Sequence, residues 1–186
     1  VAAKLVGRWR DGTPLDLDPT NDPRSGADES SANNFDYSDD PDGVKVPLFA
    51  HIRKVNPRKA SAPGPGIADQ HRIIRRGIPF GQPFDPAAGK DHGPDAERGL
   101  VFACYQASIV DQFAFLQATW AANEDFPAPN TGPDPVIGPQ GTCPLAQSSG
   151  APVPLAVEQF VRVEGGTYSF TPAISILGEL AAGTLS

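Results

Sequence analysis

Cysteine is scarce here: only Cys104 and Cys143 occur among 186 residues. Two cysteines cannot form a disulfide framework, nor can they hold zinc without other ligands. Cys104 lies in an apolar, strand-like run, where a buried free thiol is the ordinary expectation. Methionine is absent, the first residue is Val1, and no signal-peptide core is seen, so a mature or cut chain is expected. No apolar run approaches the ~20 residues that a membrane-crossing helix requires. Positive charge is also in deficit: 15 Lys and Arg against 22 Asp and Glu give a net charge of −7. That balance argues against general nucleic-acid binding. No Gly-x-Ser-x-Gly elbow, phosphate loop, Rossmann fingerprint or His-Glu-x-x-His occurs either, which removes the commonest hydrolase, nucleotide and zinc-protease readings.

What the chain does have is turn chemistry and an uneven charge. Its 21 prolines and 19 glycines predict much irregular backbone, while 39% hydrophobic residues suffice for a core. The length suits one domain. Residues 1–50 carry five basic and ten acidic side chains, 51–76 carry seven and one, and 77–186 carry three and eleven. A basic island therefore sits inside an acidic protein. It can meet a bound anion, pair with the protein's own acids, or stay solvated; charge alone favours the last two.

Residues 11–47, rich in Asp, Asn, Ser, Pro and Gly, read as a long acidic surface loop. Its run from Asp36 to Gly43 hints at calcium, but the EF-hand spacing and closing Glu are missing. His71 to Arg76 reads as a short strand, and 81–97 as another loop. Arg98 to Tyr105 reads as a strand with apolar residues on both faces, hence buried. Ser108 can cap a helix over about 109–123, where Ile109, Phe113, Leu116 and Trp120 form a stripe. Residues 126–154 read as a Pro/Gly loop. Val157–Val163 and Thr167–Phe170 suggest a hairpin through Gly165-Gly166, and Ile174 to Ala182 a closing helix. The fold class expected is α+β, antiparallel strands with helices and long loops. Loops of such length commonly surround a ligand.

Three histidines offer chemistry. His92 lies in a polar loop, and His71 opens a strand as a surface or capping residue. His51 follows the apolar run Val46-Pro47-Leu48-Phe49-Ala50 and precedes Arg53 and Lys54. An imidazole there could ligate a metal while adjacent cations meet an anionic cofactor. Spacing alone equally fits a hydrogen-bonded core histidine.

Longer segments decide between these. Ala50-His51-Ile52-Arg53-Lys54-Val55-Asn56-Pro57-Arg58 resembles a segment of the fungal-type dye-decolourising peroxidases. So, in order, do Val6–Leu15, His71–Gly81, Glu97–Gln106, Gly132–Gly138 and Gly165–Pro172. The resemblance implies a ferredoxin-like α+β fold, haem b as cofactor and reduction of hydrogen peroxide by dyes, phenols and similar donors. It makes His51 the proximal iron ligand. The other imidazole nitrogen then needs an acceptor, and Asp134 is the residue expected there. Arg75 corresponds to the distal arginine; a guanidinium is a fixed cation that stabilises charge developing on a departing oxygen. Arg53 and Arg58 are candidates for the haem propionates, which Arg meets with paired hydrogen bonds. Leu100 and Phe102 resemble the apolar wall over the distal haem face. Trp120 is the first candidate for a surface electron-transfer aromatic, with Trp9, Tyr105 and Tyr168 behind it.

One departure is large. The family's distal acid–base Asp sits in Gly-x-x-Asp-Gly upstream of the proximal His. Neither Asp11-Gly12 nor Asp42-Gly43 has a glycine three positions before the Asp. The chain is therefore expected to be the C-terminal, haem-binding part of a peroxidase, residues 1–186 throughout. A second polypeptide would supply the upstream part and its Asp. Secretion follows from the same resemblance. The rival expectations are a haem carrier or deferrochelatase-like protein without significant peroxidase activity, a polyanion-binding module using 51–76, and a structural fragment inactive by itself.

Overall fold

The computed structural model describes residues 1–20, 32–59, 66–83 and 97–184. His92 and much of the 81–97 loop lie outside the described residues. The elements, in order, are α1 (Ala2–Val6), α2 (His51–Val55), α3 (Ile67–Gln70), β1 (Ile74–Arg75), β2 (Ile78–Gly81), β3 (Arg98–Val101) and β4 (Cys104–Tyr105). Two runs of wide π-type turns follow, Ile109–Ala114 and Leu116–Ala121, joined at Phe115 and together called α4. Strands β5 (Gly141–Leu145) and β6 (Val153–Val157) and helix α5 (Ile174–Ala182) complete the chain. The described strands pair as three antiparallel two-stranded ladders, β1 with β4, β2 with β3 and β5 with β6. The class is α+β, as expected.

The start of α4 follows local sequence. Ser108 Oγ accepts from the backbone N–H of Asp111 at 3.1 Å, and its hydroxyl donates to the Asp111 carboxylate at 2.8 Å. That ties up donors which a helix start leaves without partners. Of the apolar stripe, Leu116 and Trp120 are buried, whereas Ile109 is exposed. The stripe thus reaches the core only in the second half of α4. There Leu116 and Trp120 cluster with Ala68 of α3, and Ile73, Phe115 and Phe126 pack against them.

The acidic stretch 11–47 is irregular where it is described, as expected, but it lies only partly at the surface. Leu15, Phe35, Tyr37 and Val46 form a core cluster with Ala50 at the threshold of α2. Irregular backbone can enter a core when its polar groups find partners. Here Asp40 supplies several: Oδ1 accepts from Lys45 N, and Oδ2 from Val46 N and from Arg53. The calcium-like run is thus spent on an internal ion pair. Among the described residues no three metal-ligating side chains converge.

The strand expected over Arg98–Tyr105 is split into β3 and β4 at Phe102-Ala103, because its halves pair with different partners. β3 runs against β2, with Leu100 opposite Pro79, while β4 runs against β1, with Cys104 opposite Arg75. It is not buried on both faces: Leu100 is 54% and Phe102 47% exposed. Cys104 is half-buried rather than enclosed.

The expected hairpin over 157–170 does not form. Val157 pairs instead with Gly141, and 158–173 is irregular. A lone two-stranded hairpin is marginal in water, and β6 has a competing partner inside the expected 126–154 loop. That partner was concealed by its prolines, which normally argue against a strand. In the observed register Pro144 faces Pro154. Alternate antiparallel pairs exchange no N–H bonds, so two prolines placed opposite each other there leave the ladder intact. Cys143 and Val157 of this ladder pack with Phe49, immediately before α2. Two core clusters therefore meet at adjacent residues, Phe49 and Ala50, directly before α2.

Candidate functional site

His51 is the first residue of α2, and Ala50 before it is buried in the core. The imidazole is anchored at its base yet keeps 21% of its side chain exposed. Its Nδ1 lies 2.8 Å from Oδ2 of Asp134. A carboxylate accepts, so Nδ1 carries a proton, and in the neutral ring the lone pair is then on Nε2. No hydrogen bond to Nε2 is formed among the described residues. An imidazole in this tautomer, with a free basic nitrogen, is what a metal accepts as an axial ligand.

Asp134 is fully buried, and its whole surroundings fix its direction. Its second oxygen, Oδ1, accepts from Val136 N at 2.8 Å and Ile137 N at 3.0 Å. Its backbone N–H donates to Ala121 O at 2.8 Å, tying the residue to the end of α4. Two residues earlier the chain turns through Gly132 at φ +85, where a Cβ would meet Thr142 O at 2.7 Å. Only glycine fits a left-handed turn this close to β5. The pair joins residues 83 apart in sequence; spacing could not have disclosed it.

The basic island divides. Arg53 is fully buried: it donates to Asp40 Oδ2 at 3.0 Å, Val46 O at 2.7 Å and Asp40 O at 2.7 Å, and its guanidinium lies over the Tyr37 ring. With these partners it cannot reach a propionate, so that expectation is corrected; two residues on from His51 along α2, it points about 200° round the helix, away from the imidazole. Lys54 is likewise buried and internally bonded. Arg58 is only half-buried. Its Nη1 donates to Asn33 O and Phe35 O, and its guanidinium stacks on Phe35 at 3.8 Å. Its Nε is buried without a hydrogen-bond partner. It lines a cavity of about 480 Å³ together with Asn33, Lys59, Asp69 and Arg72. Arg75 stands exposed on β1, close enough to Arg8 that its charge helps to lower the Arg8 pKa, behind burial and the charge of Arg58.

Trp120 is not a surface residue: it is 2% exposed. It stacks on Phe126 and meets Phe115 and His71 edge-on, each about 5 Å away between centroids. His71 stacks on Phe115 and bonds Asp111 O, so it serves packing. Trp9 is half-buried and donates its indole N–H to Asp18 O at 2.7 Å. Tyr105 and Tyr168 are the exposed aromatics of the expected set.

The family profile described as "Dyp-type peroxidase, C-terminal" matches residues 3–127. The chain belongs to this family. It is 40% identical over 196 aligned residues to the dye-decolorizing peroxidase AauDyP1 of Auricularia auricula-judae, covering 96% of this chain and 38% of that protein. It is also 40% identical to a dye-decolorizing peroxidase of Exidia glandulosa, covering 98% of this chain and 38% of the relative. The crystal structure of a decolorizing peroxidase from Auricularia auricula-judae superposes with a TM-score of 0.76 and 37% identity, over 89% of this chain and 41% of the other. The chain thus spans about two fifths of the length of these Dyp-type relatives. The family match includes His51 and Arg75 and stops short of Asp134.

Proposed function

We propose that this chain is the C-terminal, haem-binding part of a peroxidase that reduces hydrogen peroxide and oxidises dyes, phenols and similar donors. The observation that carries the proposal is the His51–Asp134 pair, a partly exposed imidazole whose Nδ1 is committed to a buried carboxylate. The donor set suits an iron porphyrin, here taken as haem b: one neutral imidazole nitrogen, with a carboxylate behind it that raises its basicity. Bound haem would supply the redox chemistry of peroxide reduction. In this reading His51 Nε2 would be the nitrogen that holds the iron, and Asp134 holds the ring and its tautomer. Arg58 is the remaining candidate for a propionate, since its half-buried side chain lines a cavity. Arg75 offers an exposed guanidinium, a fixed cation that would stabilise negative charge developing on a peroxide oxygen.

Leu100 and Phe102 stand open to solvent, available to wall the distal face. Ile78, Phe80 and Val101 are exposed on the other face of the same β2–β3 ladder, so the ladder presents apolar surface on both faces, more than scattered single residues. We infer that the distal acid–base Asp, absent here in its Gly-x-x-Asp-Gly setting, comes from a second polypeptide that covers this surface. Exposed Tyr105 and Tyr168 replace Trp120 as candidates for passing electrons to bulky donors. Secretion is proposed from the acidic, Pro-rich composition and the fungal-type resemblance, and recovery from culture fluid checks it.

The decisive experiment compares the purified protein with its His51→Ala variant by absorption spectroscopy and peroxide-dependent dye oxidation. The expected result is a Soret band and dye turnover that both vanish in the variant. A pigmented, active His51→Ala protein would refute the assignment. Haem binding without peroxide-dependent turnover would instead favour the carrier or deferrochelatase-like alternative.

A further inference from the structure

A lysine ammonium is rarely enclosed unless it is paired. Lys54 is fully buried, and no ion pair to it is formed among the described residues. Its Nζ instead donates to three backbone carbonyls, Asn123 O at 2.5 Å, Phe126 O at 2.7 Å and Gly132 O at 2.9 Å. Three N–H donors meet three acceptors, which is the full capacity of an ammonium. All three carbonyls belong to one segment, the connection that leaves α4 at Ala121 and arrives at Asp134. The ring of Phe126 flanks the same charge at 5.9 Å. The segment is thus wrapped around Lys54, and its two ends are closed by the bond from Asp134 N to Ala121 O.

Lys54 lies three residues after His51, so both rise from the same side of α2. One helix therefore carries the imidazole that needs a carboxylate and the cation that organises the loop delivering it. We propose that Lys54 is a positioning residue for the His51–Asp134 pair, clamping the 123–132 segment so that the Asp134 carboxylate meets Nδ1. Burial pushes its pKa down to about 8, with Asp134 pulling the other way, which leaves it mainly charged at neutral pH. A methyl-ended side chain of similar length would avoid that desolvation, but it would leave three carbonyls without donors.

The contact itself is independent of any cofactor; its consequence for iron rests on the reading of His51 as the axial ligand. The test therefore has two readouts. In haem-free protein, the Lys54→Met variant should show the His51 Nδ1–H proton resonance moved upfield and exchanging with water at least tenfold faster. In the holoprotein, Lys54→Met should raise the iron midpoint potential, because a less basic imidazole stabilises the oxidised metal less. That shift should disappear when Asp134→Asn is already present, since Lys54 acts through Asp134. Lys54→Gln, which keeps two N–H donors, should fall between the two, and it decides the matter if Lys54→Met does not fold. Folded variants with wild-type exchange and potential would overturn the proposal. So would a shift of equal size in the Asp134→Asn background. If His51→Ala kept its pigment, the haem reading would fail while the haem-free comparison still judged Lys54.

Discussion

Replacing Asp134 with Asn tests the site at its narrowest point. The change keeps shape and volume, and Oδ1 can still accept from Val136 N and Ile137 N. Those two bonds fix the amide's orientation and turn its NH₂ group toward His51. Two donors then face each other unless the imidazole moves its proton from Nδ1 to Nε2. The imidazole consequently either loses its partner or presents a proton where iron should bind. The lost bond is charge-assisted, worth about 1.5–3 kcal/mol. At about 1.4 kcal/mol per decade, this corresponds to a weakening of haem affinity by roughly 10- to 100-fold, the range in which other changes behind metal-bound histidines fall. The assays are a haem titration followed at the Soret band and imidazole ¹⁵N NMR of the haem-free protein. The expected spectrum has the proton on Nε2 or shared between the nitrogens. Wild-type affinity combined with an unchanged Nδ1–H tautomer would refute the argument, because the carboxylate would then be holding nothing.

Further outcomes follow from the buried groups around α2. Arg53→Ala leaves the Asp40 carboxylate buried without its cation, which should cost about 3–5 kcal/mol in urea unfolding; a loss under about 1 kcal/mol would mean the pair is dispensable. Cys143 is buried with its thiol pushed up to about 11, so a thiol reagent at pH 8 should modify half-buried Cys104 first and reach Cys143 only on unfolding. The linkage has a definite sign: the unfolded thiol ionises near its ordinary value of 9.0 while the folded one stays protonated, so stability present below pH 9 is lost as pH rises towards 11. Cys143→Ser should lose that alkaline dependence.

Features that depend on neighbours along the chain were legible in the sequence alone. The cap at Ser108, helix α5 over Ile174–Ala182 and the α+β class all follow from local spacing and turn chemistry. Features that depend on which distant segment wins a competition were not. β6 had two possible partners, and burial of Cys143 beside Phe49 chose the proline-bearing one. Arg53 and Arg58 looked alike in a basic run, yet one faces Asp40 inside the core and the other lines a cavity. Trp120 could serve the surface or the core until Phe126 and Phe115 closed over it.

The order of residues around Ala50-His51-Ile52 determined the family, because a long run of specific side chains identifies kinship without reference to contacts. It also made His51 a candidate, since imidazole is the side chain whose free nitrogen binds metal near neutral pH. Only the folded chain decided which nitrogen is free. That choice depends on a carboxylate brought to 2.8 Å from 83 residues away, and a bond of that length is set by the packing of two segments, not by either of them alone.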